Sequence, residues 1–84
     1  MTKAEIIDLI KQNLIEIIPE LEDEVINLNE PLIDMGANSI DRGELIMLTL
    51  EALEFEVPRV EFAGADTIQQ LANLMEHHGN LSAS

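Results

Sequence analysis

The chain has 84 residues, of which seventeen are acidic and four are basic, giving a formal net charge of −13. A chain of this length holds one domain with a modest core, which excludes the deep cleft that most enzymes assemble from several elements. The negative charge disfavours binding to nucleic acids and to anionic membrane surfaces, and it implies partners with basic patches.

The first predicted helix begins after Thr2, which has the spacing of a capping box with Glu5. Apolar residues then recur on one helical face, as in an amphipathic helix. This face consists of Ile6, Ile7, Ile10, Leu14, Ile17 and Ile18. Pro19 ends the helix, because proline removes a backbone donor and clashes with the preceding turn.

Residues 19–38 are too apolar for a free linker and too interrupted for one helix. We expect an ordered loop with short turns, held to the core by its apolar side chains. These side chains are Leu21, Val25, Leu28, Leu32 and Met35.

The second helix is predicted from Ser39 to Leu53 or Phe55, because the Val57-Pro58 pair disfavours helix beyond that point. Its apolar residues exceed what one buried face requires. They are Ile40, Leu45, Ile46, Leu48, Leu53 and Phe55.

A short helix is predicted next, with Pro58 in its first turn and Gly64 at its end. The last helix is expected to be capped by Asp66, with Gln69 three residues later, and to end at Gly79. Its apolar stripe is Ile68, Leu71, Ala72 and Met75. We therefore predict an all-α bundle of three main helices and one short helix, with a domain over residues 1–79 and a flexible tail over residues 80–84.

Ser39 lies at the start of the second helix, where a hydroxyl group most simply caps backbone N–H groups. A catalytic serine would need a positioned base, but the two histidines, His77 and His78, lie at the end of the last helix. The glycine-flanked elbow that presents a hydrolase serine is also missing. We therefore expect no enzyme activity.

A metal site is not expected either. Adjacent histidines on a helix point about 100° apart, and no carboxylate cluster completes a site. The acidic segment 19–25 lacks the spacing and central glycine of a calcium loop, and the chain has no cysteine. No apolar run approaches the ~20 residues of a membrane span, and no signal peptide is evident, so we expect a cytoplasmic monomer.

The segment LIDMGANSIDRGEL, residues 32–45, followed by an acidic and apolar helix, Val57-Pro58 and a capped last helix, resembles the acyl carrier protein family. The similarity covers almost the whole chain, and residues 32–58 carry most of it. In that family, a dedicated transferase esterifies the serine of an Asp-Ser-Leu motif with 4′-phosphopantetheine, whose thiol holds acyl groups as thioesters. The resemblance implies a right-handed-type carrier-protein bundle and a covalent 4′-phosphopantetheine on Ser39.

Two residues depart from the family motif, since Asn38 replaces the aspartate and Ile40 replaces the leucine. Asn38 still suits a helix cap, but it removes a negative charge that a transferase could read. A helix N-terminus also favours an attached phosphodiester by ~0.3–1 kcal/mol. The site therefore suits a phosphate on physical grounds as well.

Residues 38–72 are most similar to the discrete carriers of bacterial polyketide β-branching cassettes. In those systems the carrier delivers an acetyl unit to a synthase similar to hydroxymethylglutaryl-CoA (HMG-CoA) synthase. The implied partners are a phosphopantetheinyl transferase and enzymes with basic docking surfaces, namely acyltransferases, ketosynthases or HMG-CoA-synthase-like enzymes. The alternatives are a fatty-acid-type or cell-wall acyl carrier, an acidic interaction bundle without a prosthetic group and, more distantly, a small hydrolase.

The face of the second helix below Ser39 is the predicted docking surface. Gly43, Met47 and Leu50 lie near the azimuth of Ser39. We hypothesise that Met47 and Leu50 form its apolar centre, and we expect Leu50 to be partly exposed. The surrounding ring would be Asp41, Arg42, Glu44, Glu51 and Glu54. The alternative is that Gly43 relieves a tight contact and that Met47 and Leu50 are ordinary core residues.

Overall fold

The computed structural model describes the backbone of residues 2–82 and the side chains of residues 2–79. It contains three α-helices, α1 (Lys3–Ile17), α2 (Ser39–Leu53) and α3 (Ile68–Ser82). Three short 3₁₀ turns occupy the connections, at Pro19–Asp23, Leu32–Met35 and Arg59–Phe62. No strand occurs among the described residues, and the predicted all-α fold is confirmed.

The start of α1 is a capping box. The Glu5 N–H donates to Thr2 Oγ1 at 3.2 Å, and the Thr2 N–H donates to Glu5 Oε1 at 3.2 Å. Both the predicted cap and the predicted end before Pro19 are confirmed. The helix buries Ile6, Ile10 and Leu14 against the other two helices.

The connection between α1 and α2 is ordered, as predicted, and is hydrogen-bonded to the start of α3. The Leu32 N–H donates to the Asp66 carbonyl at 2.8 Å, and the Gln69 N–H donates to the Leu28 carbonyl at 3.0 Å. Val25 does not anchor this loop, since it is 98% exposed, and that prediction was wrong. The backbone is extended at Glu24, where neighbouring side chains alternate in direction, so Ile26 packs against the core and Val25 points outwards.

Helix α2 has the predicted bounds and is followed by its C-cap Glu54, whose backbone is left-handed with φ of 59°. The predicted short helix is a single 3₁₀ turn, Arg59–Phe62, directly after Pro58, and Phe62 is fully buried. The apolar surplus of α2 is partly exposed, because Ile40 is 79% accessible. Met47, which was not counted in that surplus, is 44% accessible.

The predicted start of α3 was displaced by one residue. Thr67, not Asp66, caps the helix, since the Gln70 N–H donates to Thr67 Oγ1 at 3.1 Å. In turn, Gln70 Oε1 accepts hydrogen bonds from the N–H groups of Thr67 and Asp66.

The predicted end of α3 at Gly79 was wrong, because the helix continues to Ser82. A Cβ atom at position 79 would lie 2.6 Å from Cζ of Phe55, so this glycine allows close packing and does not end the helix. Residues 83–84 of the predicted flexible tail lie outside the described residues, and the domain boundary at residue 79 stays a prediction.

The core is aliphatic apart from Phe62, and α1 packs against both α2 and α3. Its largest fully buried side chains are Phe62, Ile6, Ile10, Leu14, Leu32, Leu45, Ile46, Ile68, Leu71, Met75 and Thr49. Thr49 is polar, and its hydroxyl group donates to the Leu45 carbonyl while accepting from Asn13 of α1. This packing holds α2 in place, and the exposed side of α2 forms the surface that begins at Ser39.

Candidate functional site

Ser39 is the first residue of α2, and its side chain is exposed. The helix is capped by its neighbour, because Asn38 Oδ1 accepts from the Asp41 N–H at 2.9 Å and the Asn38 N–H donates to Asp41 Oδ2 at 3.3 Å. The interpretation of Ser39 as a capping residue was therefore wrong. Among the described residues, no hydrogen bond of the Ser39 hydroxyl group is recorded, which leaves this group available for modification.

A sharp turn before α2 places Ser39 at the surface. Gly36 has a left-handed backbone with φ of 96°, which glycine adopts without steric cost. The Ala37 N–H donates to the Leu32 carbonyl at 3.0 Å, and Ala37 is buried. Burial of Ala37 anchors the turn, so that the next two residues point away from the core.

The first turn of α2 also supplies favourable electrostatics for an anion. The first N–H groups of an α-helix lack intrahelical acceptors, and the helix dipole is positive at this end. An open cleft beside Ser39 is lined by Ile33, Asn38, Arg42 and Asp66 among others. An exposed hydroxyl group beside unpaired N–H groups fits a phosphate ester better than it fits a catalytic serine, for which a base would be needed.

The guanidinium group of Arg42 is hydrogen-bonded to backbone carbonyl groups. Its Nε donates to the Ala65 carbonyl at 2.8 Å, and its Nη2 donates to the Phe62 carbonyl. These bonds join α2 to the third 3₁₀ turn and to the segment that precedes α3. Arg42 therefore has a structural role in this part of the fold, and its predicted place in a docking ring stays a prediction.

The predicted docking residues differ in exposure. Met47, Glu44, Glu51 and Glu54 are exposed, whereas Leu50 is only 6% accessible. The expectation that Leu50 is partly exposed was wrong, because this residue packs in the hydrophobic core. Asp41 and Gly43 are half-buried.

Two residues of this face were missed by sequence reasoning. Ile40 was counted with the apolar surplus of α2, yet it is exposed and lies seven residues before Met47, which places both on one face. Arg59 lies over Gly43, where a Cβ atom would be 3.6 Å from Nη1. This is an ordinary contact distance, so the alternative that Gly43 relieves a tight contact was wrong.

His77 and His78 are not among the residues that line the cleft beside Ser39. His78 Nε2 is 4.0 Å from Glu61 Oε2, and its ring lies beside those of Phe62 and His77. Among the described residues, no group of three His, Cys, Asp or Glu side chains is arranged to hold a metal ion. Within the same part of the chain, no helix has the length and apolar character needed to cross a bilayer.

Comparison with known proteins decides the family. The family model described as a phosphopantetheine attachment site matches residues 8–75. The chain is also 35% identical, over 75 residues, to the polyketide biosynthesis acyl-carrier-protein AcpK of Bacillus subtilis (strain 168), covering 89% of this chain and 92% of the relative. The chain belongs to the acyl carrier protein family.

A solved structure supports the carrier-protein fold. The crystal structure of the curacin biosynthetic pathway HMG synthase in complex with acetyl donor-ACP contains a chain that is 40% identical to this carrier protein. The two chains superpose with a TM-score of 0.84, covering 89% of the carrier protein and 96% of its counterpart. The predicted carrier-protein bundle is therefore confirmed.

The family also defines the prosthetic group. Acyl carrier proteins are non-catalytic, and their prosthetic group is 4′-phosphopantetheine. The predicted cofactor class is thus confirmed for this carrier protein.

Proposed function

We propose that this carrier protein holds acyl groups on 4′-phosphopantetheine attached to Ser39 and delivers an acetyl unit to an HMG-CoA-synthase-like enzyme of polyketide biosynthesis. The observation that carries the proposal is the exposed Ser39 hydroxyl group at the first position of α2, next to a cap made by a different residue. Likeness to a polyketide carrier and to a chain from an HMG synthase complex supports the pathway. The protein itself has no catalytic role in this proposal.

The residues around Ser39 have different roles in this proposal. Asn38 and Asp41 close the helix end, so the serine hydroxyl group is not needed for capping. The unpaired N–H groups of the first turn stabilise the phosphate charge. When bound, the group supplies a terminal thiol that forms thioesters, which this cysteine-free chain cannot supply itself.

A phosphopantetheinyl transferase must install the group. Because Asn38 stands where the family motif has aspartate, a transferase that reads that carboxylate loses one charge contact. We infer that restoring the charge with Asn38→Asp accelerates modification by such a transferase. The capping bond survives this substitution, since aspartate caps helices as well as asparagine does.

The docking surface proposed for partner enzymes is centred on Ile40 and Met47. Both are exposed, and Glu44, Glu51 and Glu54 lie around or below them on α2. Burial of an exposed apolar side chain of this size contributes about 1.5–3 kcal/mol when it is complete. An apolar patch surrounded by basic residues on an acyltransferase, a ketosynthase or an HMG-CoA-synthase-like enzyme would complement the apolar centre and the negative charge of this surface.

The attachment proposal is tested by mass spectrometry after co-expression with a broad-specificity phosphopantetheinyl transferase. We expect the wild-type chain to gain one phosphopantetheine and Ser39→Ala to gain none while staying folded. Thr2→Ala is the matched control, because Thr2 is another exposed hydroxyl residue at a helix start, and it should be modified completely. A wild-type chain without the added mass would favour the alternative of an acidic interaction bundle.

The docking proposal is tested by acetyl transfer to an HMG-CoA-synthase-like enzyme. We expect Met47→Glu to slow transfer about 10-fold, equivalent to about 1.4 kcal/mol, with little change in the melting temperature. Val25→Glu is the matched control, since Val25 is also exposed and apolar but lies in the first loop. Equal transfer rates for the two variants would contradict a docking role for Met47.

A further inference from the structure

Arg59 lies close to the face of α2 that begins at Ser39. A Cβ atom at Gly43 would be 3.6 Å from Arg59 Nη1, so the guanidinium group covers this glycine. Gly43 is four residues after Ser39, and side chains with that spacing lie about 5–6 Å apart on one helical face. The two lengths together place Arg59 Nη1 within about 10 Å of the Ser39 Cβ atom.

The surroundings of Arg59 are acidic, yet it forms no ion pair with any side chain of residues 2–79. Glu51, Glu54 and Glu56 line the same groove. Among the described residues, the ion pair recorded within 4.0 Å is His78 with Glu61, and no hydrogen bond from Arg59 is recorded. Arg59 thus has a full complement of donors that the folded chain does not use.

The other arginine near Ser39 differs in this respect. Arg42 donates from Nε and Nη2 to the backbone carbonyls of Ala65 and Phe62, so two of its nitrogens are already engaged. Arg59 is exposed and can reorient its guanidinium group without breaking a recorded bond. Of the two arginines, Arg59 is therefore the better placed to bind a newly added anion.

We propose that Arg59 binds the phosphate of the prosthetic group on Ser39, and that Gly43 keeps the space between them open. Guanidinium groups bind phosphate oxygens with paired, charge-assisted hydrogen bonds, which makes arginine well suited to this contact. The contact directs the proximal part of the arm along α2, towards the groove of Met47, Leu50 and Val57. This inference rests on the proposed attachment at Ser39.

The test compares apo and holo proteins carrying Arg59→Gln or Lys11→Gln. Both substitutions lower the net charge by the same amount, but Lys11 lies on α1. Mass spectrometry first establishes modification of each protein, so a failure of the attachment proposal is seen separately. The readouts are the melting temperature at low ionic strength and ¹H–¹⁵N spectra that include the Arg59 Nε–H and the Gly43 N–H.

We expect conversion from apo to holo wild-type protein to shift the Arg59 Nε–H and Gly43 N–H resonances. The change in melting temperature on modification should differ in Arg59→Gln from that in wild type, with the holo form less stable relative to its apo form. Lys11→Gln should match wild type. Identical Arg59 resonances in apo and holo protein, or equal changes in the two variants, would overturn the proposal while leaving the attachment at Ser39 intact.

Discussion

Gly79 of α3 lies directly against the ring of Phe55, the second residue after α2. A Cβ atom at position 79 would be 2.6 Å from Cζ and 2.9 Å from Cε2 of that ring. Carbon atoms that are not bonded do not approach so closely in well-packed interiors. The contact shows that this glycine allows α3 and the end of α2 to pack together.

Two glycine substitutions should therefore have opposite effects on stability. Gly79→Ala should lower the free energy of unfolding by about 1 kcal/mol or more, because overpacking outweighs the gain in helix propensity. Gly43→Ala should raise it by about 0.5–1 kcal/mol, because its Cβ would make an ordinary 3.6 Å contact with Arg59. Denaturant unfolding of both apo variants measures the two changes, and a shared sign would contradict this account.

Asn13 and Thr49 should be energetically coupled. Asn13 Nδ2 donates to Thr49 Oγ1 at 3.0 Å, joining α1 to α2, and the Thr49 side chain is fully buried. We expect Asn13→Ala and Thr49→Val each to cost about 1 kcal/mol, with a coupling energy of about 0.5–1 kcal/mol in the double variant. Strictly additive effects in denaturant unfolding would show that this hydrogen bond contributes nothing to stability.

Arg42 should be needed for stability rather than for modification. Arg42→Met removes charge-assisted bonds to the Phe62 and Ala65 carbonyls, so we expect a loss of about 1.5–3 kcal/mol in the free energy of unfolding. Arg42→Lys should recover only part of that loss, because an ammonium group does not reproduce the fork of donors. Full modification of Ser39 in both variants, measured by mass, is the accompanying expectation. A loss below about 0.5 kcal/mol for Arg42→Met would contradict the assignment, since that is the range of ordinary surface substitutions.

Glu5 should titrate below the usual range of glutamate. Hydrogen bonds from the Thr2 backbone N–H and hydroxyl group lower the pKa of this exposed carboxyl group. Because the folded-state pKa is lowered, the stability it contributes is present above the unfolded pKa and is lost as the pH falls through the folded pKa. A ¹³C titration of the Glu5 carboxyl group measures the pKa, and Thr2→Val should raise it by removing the hydroxyl donor.

Salt should raise the melting temperature. Seventeen carboxylates share a small surface with four basic residues, and among the described residues only His78 and Glu61 are recorded as an ion pair. Repulsion between carboxylates is screened over about 10 Å at 0.1 M ionic strength. A melting temperature that is constant between low and physiological salt would show that these charges act independently.

The local signals in the sequence predicted the helices well. The capping box of Thr2 and Glu5 and the proline after α1 are decided by residues close in sequence, and both were found as predicted. Gly79 was misread because glycine is also the commonest residue after a helix end. Only the position of Phe55, which is distant in sequence, distinguishes a terminating glycine from one that permits close packing.

The site was predicted less completely than the fold. Ser39 could be singled out by its place at a helix start. The sequence was compatible with a cap at either Ser39 or Asn38, and the backbone geometry at the helix end decides for Asn38. Leu50 was misplaced because α2 is apolar on several faces, so spacing alone did not show which face the core covers. The partners of Arg42 lie 20 and 23 residues away and leave no local trace in the sequence.

Because Asn38 caps α2, formation of this helix does not depend on whether the neighbouring Ser39 is modified. Under the proposed function, a molecule that has not received its prosthetic group still folds α2 and presents its exposed docking residues, so it can engage the same enzymes without delivering cargo. Under the proposed function, unmodified copies are competitive inhibitors of the pathway they serve. The throughput of acyl delivery then depends on the ratio of loaded to unloaded carriers, and not only on the amount of carrier that is made.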